Sequence, residues 1–415
     1  MSEKKKTQRN AAKRPRKEEA HKPAAPFGGK YITKGNLFKL VISVFFLTAL
    51  IFIMIVLNRP DPEAVATSAS KQTYVTARVT AVLSDNAEPD NIYAEGRRAG
   101  TQELEIQILE GAHKGERLYM TNYLSALANV DVGEGDRIIV RIVYEDNGDY
   151  YPTMHNYDRG IVLGLFVVVF VVMLAVIGGK KGIMALLGLI FTLVCIWFLL
   201  IPLTVKGYHP ILAGIVVVIL TSAVSILVLD GFTRKSLSAI LGCIAGVLIA
   251  GLSAGLVGIL SPMNGFNMGE AENLMLQATY DSINISGLLV CGILIASLGA
   301  VMDVAMSIAS AVHELHVLNP TLSSRRLFAS GMNIGRDAMG TMANTLILAF
   351  AGSSLNTLIL VRAYGIPYLQ LVNTDFICIE ILRGIAGSLG IIMTVPLVAA
   401  FSAWIINRTS VKSVK

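Results

Sequence analysis

Long apolar runs separated by short polar connections occupy most of the chain. The first run covers residues 37–57, and seven more follow between residues 158 and 406. Each is about as long as, or longer than, the roughly 20 residues that a helix needs to cross a bilayer, and the last, with Pro396 inside it, exceeds one straight span. The pattern therefore predicts an α-helical polytopic membrane protein with about eight transmembrane helices. The later spans are predicted at residues 158–178, 183–203, 210–229, 236–260, 285–308, 338–361 and 376–406.

Between the first and second spans the apolar pattern changes to a period of two. The segments "YVTARVTAV", "ELEIQIL" and "DRIIVRIVY" alternate apolar and polar residues, and Gly, Asn and Asp turns separate them. Such alternation is typical of half-buried β-strands. Residues 71–155 are therefore predicted to form a small β-barrel or sandwich, OB-like in type, between helices 1 and 2.

Charge indicates how the chain is oriented. Residues 58–157 hold nine Lys/Arg against sixteen Asp/Glu, so the β domain is acidic and is expected to be extracytoplasmic. The basic connections "GGKKG", "DGFTRKS" and "NRTSVKSVK" alternate with acidic or neutral ones, as the positive-inside rule requires. A membrane domain of seven helices over residues 158–406 then leaves both termini in the cytoplasm.

The two ends of the chain are polar. Residues 1–36 form a basic tail that is predicted to be disordered and to lie on anionic lipids, and residues 407–415 form a second cytoplasmic tail. No nucleic-acid partner is expected, because the first tail lacks interleaved aromatic residues. Cleavage after residues 37–57 is conceivable, but so long an apolar run favours a retained transmembrane anchor.

Seven polar or ionisable side chains lie within the last three predicted spans or just before the seventh. An ionisable group at the centre of a membrane helix costs ~2.5 kcal/mol or more on insertion scales, so each of them needs a reason. Asp303 is in the sixth span, and Glu380 and Arg383 lie one turn apart in the eighth. A polar stripe along one helical face leads into the seventh span and is formed by Asn333, Asp337, Thr341 and Asn344.

Two interpretations of these residues stay open. In the functional one they line a transport path, where carboxylates bind a cation or proton and asparagines supply neutral ligands. In the structural one Glu380 and Arg383 neutralise each other, and Asp337 caps a helix start. The functional interpretation is favoured most at Asp303, which has no cationic neighbour on its own helix.

The chain lacks the residue patterns expected of an enzyme or a metalloprotein. The four cysteines lie in apolar runs, and the β domain has none that could form a disulfide. "HELH" spaces two histidines by three but lacks further ligands, and "GMNIG" lacks the Gly-Lys of a phosphate loop. We therefore expect no catalytic residue, no cofactor and no metal.

The C-terminal two-thirds of the chain resembles the YibE/F family of bacterial membrane proteins. The segments that carry the resemblance include "KGYHPILAG", "GAVMDVAMSIASAVHEL", "SRRLFASGMNIGRDAMGTMANTLILAF" and "FICIEILRGIAGSLGIIMTVPL". The resemblance implies a multi-pass protein of the bacterial plasma membrane with an N-terminal extracytoplasmic portion. It implies no particular activity, and so no functional residue is carried over from it.

Two functions are expected from these features. The first is a secondary transporter or channel whose partner is a small solute or ion. The alternative is a membrane-anchored envelope sensor or assembly factor that binds a partner through its β domain. Whether a homo-oligomer or a partner membrane subunit completes the path is left open.

Overall fold

The computed structural model describes residues 48–59, 72–90, 96–125, 128–263, 265–266, 274 and 283–410. The predicted tail at residues 1–36 and most of the predicted anchor at residues 37–57 lie outside the described residues. The chain divides into two compact units, residues 1–53 and residues 54–415. The first described element is helix α1 (Thr48–Leu57), of which residues 48–53 belong to the first unit.

Six strands form one antiparallel sheet in the second unit. They are β1 (Gln72–Asp85), β2 (Glu88–Pro89), β3 (Arg98–Ile108), β4 (Arg117–Leu124), β5 (Arg137–Tyr144) and β6 (Tyr150–Tyr157). The long strand β1 pairs with both β3 and β5, while β4 adds to β3, β6 adds to β5 and β2 pairs with the start of β3.

The sheet is curled, because its two outer strands β4 and β6 lie close to each other. Alternate side chains point inward and form a fully buried apolar core that includes Ala77, Ile106 and Ile138. The register shifts of β1 after Val79 and after Val82 bend this strand, as β-bulges do. A partly curled antiparallel sheet therefore occupies the segment that was predicted to be a β domain.

A polar network closes one end of this core. Gln102 and Asn122 are each about 1% exposed, and the Asn122 amide donates to Gln102 Oε1 at 3.0 Å. The Arg98 guanidinium donates to both Asp85 and Asp131. The hydrogen bond from Arg98 to Asp85, together with one from the Ala87 amide, lowers the pKa of Asp85 to about 2. The carboxylate therefore stabilises the sheet at neutral pH, and this contribution is lost as the pH falls toward 2.

Nine helices follow the sheet in the described part of the chain. They are α2 (Gly160–Cys195), α3 (Ile201–Val205), α4 (Pro210–Asp230), α5 (Arg234–Leu260), α6 (Ile285–Leu318), α7 (Ser324–Ser353), α8 (Leu355–Ala363), α9 (Tyr368–Leu371) and α10 (Asp375–Ser410). A π-helical turn at Ile196–Leu200 joins α2 to α3.

Within the described residues, five helices are long and apolar enough to cross a membrane. Helices α7 and α8 add a sixth span if the pair, which is bent by 60°, counts as one. The structure therefore agrees with a helical membrane protein of several spans. The predicted number of about eight is not confirmed, because five or six are found in the described residues. One reason for the lower count is that residues 160–205, predicted as two spans, follow one another without an intervening loop and count as one apolar element of 46 residues.

This 46-residue element turns sharply at Gly179. The φ angle there is +53°, a left-handed conformation that glycine adopts without strain. Just after the turn, Gly182 lies directly against the backbone carbonyl of Leu174, which leaves no room for a side chain. The turn falls between the predicted spans 158–178 and 183–203.

Helix α10 is the centre of the bundle and packs against α5, α6 and α7. Glycines allow these approaches: Gly242 and Gly246 of α5 meet Val398 and Thr394 of α10, and Gly335 of α7 meets Val395. Small residues at membrane-helix interfaces let backbones come close and increase dispersion contacts. Helix α10 is one continuous helix that contains Pro396.

Helix α7 begins 14 residues before the predicted start of its span at residue 338. The residues that precede 338 include three arginines, which kept the apolar content of this segment low. One face of this segment nevertheless packs on α6 and α10 through Leu327, Gly331 and Gly335, which are buried. Tertiary packing of one face therefore extends the helix into a segment that hydropathy had excluded.

The close approach of α5 to α10 can be tested with Gly246→Ala. The new Cβ would overlap Thr394, so we expect a free energy of unfolding lower by about 1–3 kcal/mol, the usual effect of overpacking. The control is Gly255→Ala on the same helix, where nothing lies within 4 Å of the new Cβ. Because alanine favours helix over glycine, the control should be neutral or stabilising. Thermal unfolding in detergent measures both, and equal midpoints would contradict the packing described.

Candidate functional site

The polar stripe of α7 lies on the outside of the bundle. Asn333, Asp337, Thr341 and Asn344 are all exposed. On the opposite face of α7, Gly331 is buried against Val312 of α6 and Ala399 of α10. The stripe therefore points away from α6 and α10, toward the surroundings of this chain.

The stripe lies about halfway along the bundle. Gly331 is level with Ala399, and Val398 is level with Gly242, which is eight residues from the start of α5 at Arg234. At about 1.5 Å per residue this level is ~12 Å from the end of the bundle where α5 begins. Asp337 lies six residues further along α7, or ~20 Å from that end. By the same count Asn333 lies ~15 Å and Asn344 ~31 Å from that end, so the stripe follows the middle part of the bundle.

Asp303 is exposed on a different face, in the middle of α6. Small or polar residues share this exposed face at helical spacing, namely Gly292, Ala296, Gly299 and Ser307. Asp303 is nine residues from Val312, which places it ~25 Å from the same end of the bundle and nearly level with Asp337. Within the described part of the chain, neither Asp303 nor Asp337 has an ion-pair partner.

Glu380 and Arg383 form an ion pair on α10. Arg383 Nη1 lies 2.9 Å from Glu380 Oε1, and each side chain is 28% exposed. The other carboxylate oxygen, Oε2, is buried and has no hydrogen-bond partner among the described residues. Glu380 and Arg383 therefore neutralise each other, as their spacing predicted. One oxygen of the Glu380 carboxylate is still without a hydrogen bond among the described residues.

A cavity of about 370 Å³ adjoins Glu380. It lies where α7 bends into α8, and it is a partly open cavity bordered by residues of α7, α8 and α10, including Phe350, Ser354, Leu358 and Ile381. Apart from Glu380 and Ser354 its lining is apolar, as it is in many small-molecule pockets. Interrupted helices at membrane depth are also where transporters place their binding sites.

The hydrogen bonds described join some of the candidate residues and not others. Arg336 Nη1 donates to Asn333 Oδ1 at 3.4 Å, and Arg383 pairs with Glu380. Thr341 donates to the Ala338 carbonyl of its own helix at 2.9 Å. Within one chain, the α6 face with Asp303 and the α7 stripe are separate outward surfaces, and the α10 pair lies beside the cavity.

The bend between α7 and α8 was not predicted from the sequence, and the cavity depends on it. Residues 338–361 were predicted as one span, whereas the structure ends α7 at Ser353 and begins α8 at Leu355. The sequence does hold a signal, since "AGSSLN" contains one glycine and two serines in succession. Gly/Ser pairs are among the few causes of sharp helix kinks.

A second surface with candidate function lies on the β domain. Tyr119 and Tyr123 project from the outer face of β4 and are 68% and 71% exposed. Glu105 is paired opposite Tyr119 on β3, and Glu103 is opposite the intervening Thr121. Large exposed aromatic rings beside polar groups are more typical of a binding surface than of an inert one.

The comparisons with known proteins identify one family. The family model described as "YibE/F-like protein" matches residues 166–408, which is more than half of the 415 residues. The match covers most of the helical region and leaves the β domain outside it. No curated protein and no solved structure matches the chain.

The α10 ion pair can be tested with Arg383→Ala. This change leaves the half-buried Glu380 carboxylate without its cation, and we expect the free energy of unfolding to fall by about 1–3 kcal/mol, less than for a fully buried pair. Glu380→Ala combined with Arg383→Ala should be less destabilising than the sum of the single changes. The control Arg383→Lys keeps the charge. Thermal unfolding in detergent measures all four variants, and strict additivity would contradict the coupling.

Proposed function

The chain belongs to the YibE/F-like family, and we propose that it is a secondary transporter or channel for a small solute or ion. The observation that carries the proposal is the exposure of Asp303 and of the α7 stripe, both near the middle of their helices. Lipid tails offer these groups no hydrogen bond, so side chains of this kind are retained where they contact water, an ion or another polar surface.

The candidate residues extend along much of the bundle. Asn333 is two residues beyond the level of Gly331 and Ala399, and Glu380 is 19 residues from Ala399 on α10. Along the bundle axis the two are therefore separated by ~25 Å, which is comparable to the ~30 Å core that a transported solute has to cross.

Each residue has a role that fits its chemistry. Asp303 and Asp337 would bind a cation or carry a proton, and the oxygens of Asn333, Thr341 and Asn344 would serve as neutral ligands. Glu380 and Arg383 would act at the other end of the path, where the unsatisfied Glu380 Oε2 adjoins the 370 Å³ cavity. The proposal needs no catalytic residue, cofactor or metal.

The proposal includes an orientation in the bacterial plasma membrane. Both termini would be cytoplasmic, and the acidic β domain would be extracytoplasmic, because basic connections favour the cytoplasmic side. The order of its strands, with β1 between β3 and β5 and the outer strands β4 and β6 close together, supports an OB-like barrel.

Transport can be tested with purified protein in liposomes. Flux of protons, alkali cations, divalent metals and small organic ions would be screened for the native chain and for Asp303→Asn. We expect flux of one of these solutes, reduced about tenfold or more by the substitution, because the amide cannot carry the charge. The control is Ser307→Ala, one turn away on the same exposed face. Equal flux in all three proteins would remove Asp303 from the path.

A second candidate function is an envelope sensor or assembly factor, and the exposed tyrosines of β4 favour it. Tyr119 and Tyr123 present two aromatic rings on one face of the sheet, beside the carboxylates of Glu103 and Glu105. Aromatic residues contribute a large share of the energy in protein interfaces. This surface would bind a partner outside the membrane.

Tyr119→Ala with Tyr123→Ala tests this second function. If the surface binds a partner, the affinity for proteins captured by the native chain should fall about tenfold or more, since exposed tyrosines are often the residues that contribute most to binding. Both side chains are exposed, so folding should be unaffected. The control is Leu83→Ala, which removes another exposed side chain of the β domain. Unchanged capture with unchanged folding would count against the sensor function.

A further inference from the structure

The exposed face of α7 has the spacing of a helix–helix seam. Asn333, Asp337, Gly340 and Asn344 are all exposed, and they follow one another at intervals of four, three and four residues. An alternation of three- and four-residue intervals is the spacing of the contact residues between two helices that pack side by side, as in coiled coils. The opposite face of α7 is already occupied by α6 and α10. A partner on the seam must therefore come from outside the packed bundle of this chain.

The seam fits close approach and hydrogen bonding in lipid. A Cβ built on Gly340 meets no atom within 4 Å, so another backbone can approach there. Small residues and polar side chains at one interface are what hold membrane helices together. Within the described residues, Asp337 and Asn344 have no side-chain hydrogen bond in the single chain.

The residues of the seam are complementary to themselves. The amide of an asparagine both donates and accepts hydrogen bonds, so Asn333 and Asn344 can each pair with the same residue of an identical helix. Arg336 and Asp337 are adjacent and opposite in charge, so two copies can form two reciprocal ion pairs. A polar residue in such a seam also fixes the register of the two helices.

We propose that α7 packs in parallel against α7 of a second copy of this chain, through the exposed face that carries Asp337, Gly340 and Asn344. A two-fold axis along the membrane normal places identical residues opposite each other and keeps both copies in the same orientation. The contact is argued from this face alone and does not depend on the proposed transport function. The stripe would then be shielded from lipid without being buried inside one chain.

Disulfide cross-linking in native membranes tests the contact. Gly340→Cys would be made in a Cys378→Ser background, because the other three cysteines are buried. The matched control is Gly299→Cys on α6, since Gly299 is also exposed, meets no atom within 4 Å and lies within ~6 Å of the same level. After mild oxidation, we expect a product of twice the chain mass, at least about fivefold more abundant for Gly340→Cys than for Gly299→Cys.

Three results would overturn the inference. One is equal cross-linking at both positions, which indicates random collision, and another is a product with the mass of a different protein. The third is a monomer, determined by light scattering of the native chain in detergent, that retains full flux in liposomes. That third result would leave the transport function intact. A cross-linked dimer that shows no flux for any solute would instead remove transport and keep the α7 contact.

Discussion

Polar groups in hydrocarbon have no water to bind, and this constraint governs the whole helical region. The backbone meets it by forming long helices, and most side chains meet it by being apolar. The exceptions are few and are concentrated on α6, α7 and α10. One exception, the Glu380–Arg383 pair, is largely satisfied within its own helix. Asp303, Asp337 and Asn344 have no side-chain partner among the described residues, and this is why their exposure carries functional meaning.

Helix α10 provides the rigid reference for these groups. Its contacts with α5, α6 and α7 depend on glycines, such as Gly242 and Gly335, that bring backbones close together. Close backbones leave little freedom for the helices to rotate, so the faces that point outward are fixed as firmly as those that point inward. The burial of Gly331 and Gly335 is thus what holds Asn333 and Asp337 on the outer surface.

The sequence predicted most of the elements, since periods of two and of about 3.6 residues distinguish strands from helices. It also located the polar residues, because Asp303 and Asp337 are conspicuous among apolar neighbours. It could not predict the start of α7, where arginines lower the hydropathy but Leu327 is buried, or the side of the bundle to which Asn344 points. Both depend on packing between residues distant in the chain, which periodicity within one helix does not report.

Because of the bend between α7 and α8, the cavity beside Glu380 is bordered by helices that are held in place to different degrees. Helix α8 has no buried side chain, whereas α10 is buried along most of its length. Segments with few buried contacts are the first to open, at free energies well below that of global unfolding. We therefore expect the side of the cavity formed by α8 to open more readily than the sides formed by α7 and α10. Its volume is set by the helix that is held least tightly.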